Sequence, residues 1–178
     1  DQSREALAVE IDNIRATLIG EANSKFMGRP VFGGTTPGTE AYDPGTGAYK
    51  GNAGQTTRTV GPNSKVRIEA SGPEAFGAEG SDSQLFKVLG DISTAIRGGD
   101  QAGLNKSLGN LDSAHDLLKA TLSDVGARYN RITQMKQSAD DHLLSVTSQL
   151  SDIEDIDLPK AIMELQIQQT SYQAALAA

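Results

Sequence analysis

Residues 104–153 read LNKSLGNLDSAHDLLKATLSDVGARYNRITQMKQSADDHLLSVTSQLSDI. Steps of four and three through this stretch pick out Leu104, Leu108, Leu111, His115, Leu118, Leu122, Val125, Tyr129, Ile132, Lys136, Ala139, Leu143, Val146, Leu150 and Ile153. Only His115 and Lys136 interrupt the apolar run. An alternating four–three repeat keeps apolar residues on one narrow side of a helix, the geometry of a coiled-coil seam. No proline falls between Asp100 and Ile156. At a helical rise of ~1.5 Å per residue the stretch makes a rod of roughly 75 Å. A helix with such a stripe needs partner helices in water.

Working outward, two flanking stretches supply candidate partners. Residues 1–25 carry Leu7, Ile11, Ile14 and Leu18 at helical spacing, and Leu158, Ile162, Leu165, Gln169, Tyr172 and Leu176 repeat in the same way near the other end. Pro159 fits the first turn of that last helix, with Asp157 as its cap. The acidic run Ser151–Asp157 reads as the turn that lets the last helix fold back as an antiparallel hairpin. A fourth helix spans Ser83–Arg97, with Ser81 or Asp82 as its cap; Gly98-Gly99 stops it, and Asp100 caps the long helix. Asp1 falls inside a helical pattern and the last pattern runs on to Ala178, so both ends are expected to be cut.

Twelve of the nineteen glycines lie between Gly28 and Gly80, a composition that excludes helix there. Strands are expected at Arg29–Phe32, Thr56–Val60 and Val66–Ala70, separated by turn dipeptides such as Gly61-Pro62 and Gly72-Pro73. Residues 28–80 are too few and too rich in glycine to bury a large core alone, so they are expected to pack against the end of the helices. The fold class is therefore mainly α with a small β insertion: an elongated antiparallel helical bundle or coiled-coil rod formed by 1–27 and 81–178, interrupted by a β-rich module at 28–80.

Composition narrows the function. The formal net charge is −7, with no basic run, which argues against a nucleic-acid partner. No apolar stretch reaches the ~20 residues of a membrane span. The absence of cysteine removes disulfides, thiolate zinc sites and thiol catalysis. Four Phe, four Tyr and no Trp leave few anchors for an enzyme pocket. Gly33-Gly34 and Gly45-Thr46-Gly47 lack the Lys-Ser/Thr of a phosphate loop. His115 and His142 are too far apart in sequence for a helical ligand pair, and His115 is expected as an interior or interface residue of the seam. Asp155 and Asp157 have the spacing of calcium ligands but no following glycine, and Pro159 intervenes. No catalytic residue, cofactor or metal site emerges.

Three segments carry a family resemblance. Asn23, followed by Phe26-Met27-Gly28-Arg29-Pro30-Val31-Phe32-Gly33-Gly34, resembles the turn after the N-terminal helices in the flagellin family of bacterial flagellar axial proteins. Gly126-Ala127-Arg128-Tyr129-Asn130-Arg131-Ile132 is similar to a segment of that family's long C-terminal helix. Asp155-Ile156-Asp157-Leu158-Pro159-Lys160-Ala161, continuing through Gln169–Ala178, is similar to its closing helix. Met27 and Pro30 depart from the Asn and the aromatic residue common in the family turn.

The resemblance implies a structural, non-enzymatic protein that sits outside the cell as a self-assembling adaptor joining hook to filament. It implies export through the flagellar type III pathway with a cytosolic chaperone at the C-terminal region. Its partners would be further copies of itself in a ring, the first hook-associated protein and flagellin. It also implies an outward face at Arg128, Asn130 and Arg131 that touches a neighbouring subunit. Flagellin itself is the alternative, and a coiled-coil stalk with a small β head, as in an adhesin, is a third reading. The chain alone is expected to be monomeric.

Overall fold

The computed structural model describes every residue except Asp1, Thr39, Pro62, Asn63, Asp155, Ile156, Asp157 and Ala178. The element order is α1 (Gln2–Ala22), β1 (Lys25–Phe26), β2 (Arg29–Pro30), β3 (Thr57–Gly61), β4 (Ser64–Arg67), α2 (Gly72–Phe76), α3 (Leu85–Gly98), α4 (Gln101–Glu154) and α5 (Leu158–Ala177). The chain is thus mainly helical with a small β segment between its helices. Two compact units are formed, Asp1–Met135 and Lys136–Ala178.

In the first unit α1 lies antiparallel to α3. Arg97, in the last turn of α3, donates to Glu5 at 3.1 Å near the start of α1 and to Asp12 at 2.7 Å at its middle, while Ile19 and Phe86 belong to the core towards the other end. Ser93 Oγ donates to the Ala8 carbonyl between them. Bonds from Ser93 and Arg97 hold the Asp12 carboxyl below its ordinary value. Gly99 ends α3 in the left-handed conformation, φ 65°, with its N–H on Ile96 O at 3.2 Å. Asp100 then caps α4, accepting from Gly103 N at 3.0 Å. The cap of α3 is Gln84, not Ser81 or Asp82: its side chain accepts from Lys87 N and donates to Gly47 O, an exchange available only because Gln84 is buried against the loop.

The glycine-rich segment is more ordered than its composition suggests. β1–β2 and β3–β4 are antiparallel pairs, and Tyr42 bridges Tyr49. Asn23 takes the place of a strand neighbour for this loop: its Oδ1 accepts from Ala41 N and Tyr42 N and its Nδ2 donates to Tyr42 O, each at 2.8 Å. Arg15 reaches from α1 to the carbonyls of Phe86, Gly45 and Thr46. The reward is an aromatic cluster. Five of the chain's eight Phe and Tyr residues meet there: Phe32, Tyr42, Tyr49, Phe76 and Phe86, with ring centres as close as 4.8 Å. Residues 28–80 therefore share a core with Ile19, Ala22, Leu85, Leu89 and Ala114 rather than abutting a helix end.

Two differences from the sequence reading have physical causes. Gly72-Pro73, read as a turn, opens helix α2. Proline suits the first turn of a helix, and Glu74 reaches back to Ser71 N at 3.1 Å, a capping-box feature written in the sequence as Ser-x-x-Glu. Residues 151–154 continue α4, not a turn; the rest of the expected acidic turn and the Asp157 cap lie outside the described residues. In the second unit every described side chain from Lys136 to Leu176 is exposed. The stripes Leu143–Ile153 and Ile162–Leu176 thus contain no buried residue among those described, and the expected burial of α5 against α4 is not found within that unit.

Candidate functional site

The long helix decides what this chain can present to other molecules. Its seam has a shared row, Leu104, Leu111, Leu118, Val125 and Ile132, set one heptad apart. The sequence reading paired this row with Leu108, His115, Leu122, Tyr129 and Lys136. The structure pairs it, on the inner side, with Ser107, Ala114, Thr121, Arg128 and Met135, each buried or half-buried. All five residues of the expected second row are exposed, Leu122 at 73% and Tyr129 at 70%. His115 is among them; its buried neighbour is Ala114.

The inner row is chosen by what it touches. Ser107 and Ala114 are small, and Ala114 joins the core with Ile19 and Phe86. Thr121 Oγ1 donates to Glu74 O at 2.7 Å. Arg128 Nη1 donates to Glu69 O at 2.7 Å, and Nη2 pairs with Asp124. Met135 Sδ accepts from Ser64 Oγ at 3.8 Å. Below this seam Arg67 makes a forked bond to Glu74, 2.7 and 2.6 Å. The Arg67 fork, helped by Ser71 N, lowers the Glu74 carboxyl to about 2.

The candidate contact residues are therefore divided. Arg128 is committed to its own chain, bracing the segment that follows β4 against α4. Asn130 and Arg131 are both exposed. Beside Arg128 opens an apolar groove of about 300 Å³ lined by Val31, Phe32, Ile68, Val125, Tyr129 and Ile132. Sequence reasoning missed this groove because its walls come from three distant segments.

Other chemistry has little to stand on. His115 and His142 are both exposed. Among the described residues no group of three His, Cys, Asp or Glu could hold a metal, and no helix is long and apolar enough to cross a membrane. The Tyr42 hydroxyl is buried without a partner, and burial raises its pKa, but it lies within the aromatic core and opens on no cavity described here.

Comparison with known proteins fits this geometry. The family model of the bacterial flagellin C-terminal helical region matches residues 108–178. Flagellar hook-associated protein 3 of Escherichia coli (strain K12) is 26% identical over 197 aligned positions, which take in 98% of this chain and 62% of that protein. The chain thus spans about three fifths of the relative's length. Among solved structures, FlgL of Bacillus cereus superposes with a TM-score of 0.69 at 22% identity, over 82% of this chain and 71% of that one. A flagellar hook-associated protein of Vibrio parahaemolyticus gives 0.73 at 21%, over 85% and 70%. At these identities the two structures establish the fold.

Proposed function

We propose that the chain belongs to the bacterial flagellin family, whose C-terminal helical region matches residues 108–178, and that the whole protein is a structural component of the flagellum and joins hook to filament. One observation favours this over flagellin. The likeness to hook-associated protein 3 runs through 98% of the chain, the glycine-rich segment included, whereas the family match stops short of that segment. On this reading 28–80 is a module inserted between two helical arms, 1–27 and 81–178. The protein acts by position and not by catalysis. It is exported through the flagellar type III pathway, assembles as a ring outside the cell, and meets the first hook-associated protein on one side and flagellin on the other. The uncovered apolar residues from Leu143 to Leu176 suit a segment that an export chaperone covers in the cytosol.

Asn130 and Arg131 are the proposed contact residues towards a neighbouring subunit, with Arg128 holding the helix beneath them. Immuno-electron microscopy of the whole protein should give one band at the hook–filament joint. A strain lacking it should shed its filaments and lose motility. Normal filaments in that strain would sink the reading, and long filaments grown from this protein alone would move it to flagellin.

A further inference from the structure

The turn between β1 and β2 is unusual in what it displays. Phe26 pairs with Arg29, leaving Met27 and Gly28 as a two-residue turn with φ 51° and 80°. Two positive φ values describe a type I′ hairpin, a geometry that favours Asn-Gly. Met27 is the one described non-glycine residue with positive φ, and a left-handed methionine is disfavoured. It is also 88% exposed, the highest value among the exposed large hydrophobics, beside Phe26 at 72%. Lys25 and Arg29 flank the pair, both exposed. The hairpin is therefore an apolar knob between two cations.

The apolar groove on the same unit has the opposite character. Its floor and walls are Phe32, Ile68, Val125 and Ile132, with Val31 and Tyr129. At its rim Arg67 is taken by Glu74 and Arg128 by Asp124. Glu69, whose carboxylate accepts from Thr56 N, adds a third carboxylate at this rim, so Glu69, Glu74 and Asp124 outnumber Arg67 and Arg128 there. We propose that the Phe26–Met27 tip of one copy seats in this groove of a second copy, with Lys25 or Arg29 over Glu69. The occupant is another copy because both halves, an apolar knob with two cations and an apolar groove whose rim has three carboxylates to two cations, are carried by every chain. Tip-to-groove contact is heterologous, the kind that closes a ring when repeated. This rests on the self-assembly reading above.

The chain has no cysteine, so paired substitutions report cleanly. Purified chain carrying Lys25→Cys is mixed at high concentration with a mass-tagged copy carrying Thr133→Cys, a position exposed one turn beyond Tyr129. Mild oxidation should give the mixed disulfide well above that of a Lys25→Cys and Ser113→Cys control. Adding Met27→Asn to the first copy suits the left-handed turn and removes the knob, so the fold holds while the mixed product falls about tenfold. Ile68→Glu in the second copy should do the same. Yield no higher than the control, or unmoved by either substitution, overturns the contact. Localisation at the joint is scored separately: a protein at the joint with no mixed disulfide loses this contact and keeps its function, and the reverse loses the function and keeps the contact.

Discussion

Two rows of α4 run side by side and do opposite things. Ser107, Ala114, Thr121, Arg128 and Met135 read as mostly polar or small, yet they are the ones packed into the first unit. Leu108, His115, Leu122, Tyr129 and Lys136 supply the more apolar heptad pattern and are exposed. Hydrophobicity announces which face of a helix requires cover. It does not announce which chain provides it. The inner row is selected by close approach and by side-chain bonds to the carbonyls of Glu69 and Glu74, neither of which leaves an apolar signature. The outer row keeps its leucines for contacts that this chain does not make with itself in the first unit.

Ala114→Glu should break the comparison most severely. It places an unpaired carboxylate against Ile19 and Phe86, and leaving a charge uncompensated in a core costs about 3–5 kcal/mol. Urea unfolding followed by near-ultraviolet tyrosine signal would show it. A loss under about 1 kcal/mol would mean that Ala114 does not face the core.

Arg128 and Arg131 come next, three residues apart with opposite assignments. Arg128→Met removes charge-assisted bonds to Glu69 O, just after β4, and to Asp124 and should cost about 2 kcal/mol. Arg131→Met should leave unfolding within about 0.5 kcal/mol and instead lower motility when the whole protein carries it. Equal effects of the two on unfolding would erase the distinction between brace and contact.

Glu74→Gln probes the carbonyl shelf on which Thr121 lands. Its carboxyl is depressed, so the Arg67 fork stabilises the fold above the ordinary carboxylate range and is lost as pH falls through about 2. The pair is partly solvated, so the substitution should cost only about 1 kcal/mol at neutral pH. Near pH 2 the gap to the unmodified chain should shrink, since both forms then carry a neutral side chain. A gap that does not change with pH would assign the effect to packing.

Much of this was legible before any coordinates. The heptad period located α4 almost to its ends, Gly98-Gly99 and Asp100 located the joint before it, and the alternation at 65–70 located β4 to within a few residues. The aromatic cluster was not legible. Phe32, Tyr42, Tyr49, Phe76 and Phe86 are scattered among glycines, and only the side chains of Asn23 and Arg15, which clamp loop backbone, bring them together. Nor was the division of the contact segment, because the commitment of Arg128 depends on where the chain carries the Glu69 carbonyl after β4.

The smallest expected effect is the most diagnostic. Leu122→Glu puts a charge into an apolar seam, and a reader of the heptad alone would expect a heavy loss. Leu122 is 73% exposed, so the chain's unfolding should move by no more than about 0.5 kcal/mol. A stability loss of several kcal/mol would return Leu122 to a core within this chain. No loss on unfolding, together with failed assembly of the whole protein, would assign the outer row to covering by other chains, because the same leucine cannot be idle in the fold and required in the organelle unless its partner lies elsewhere.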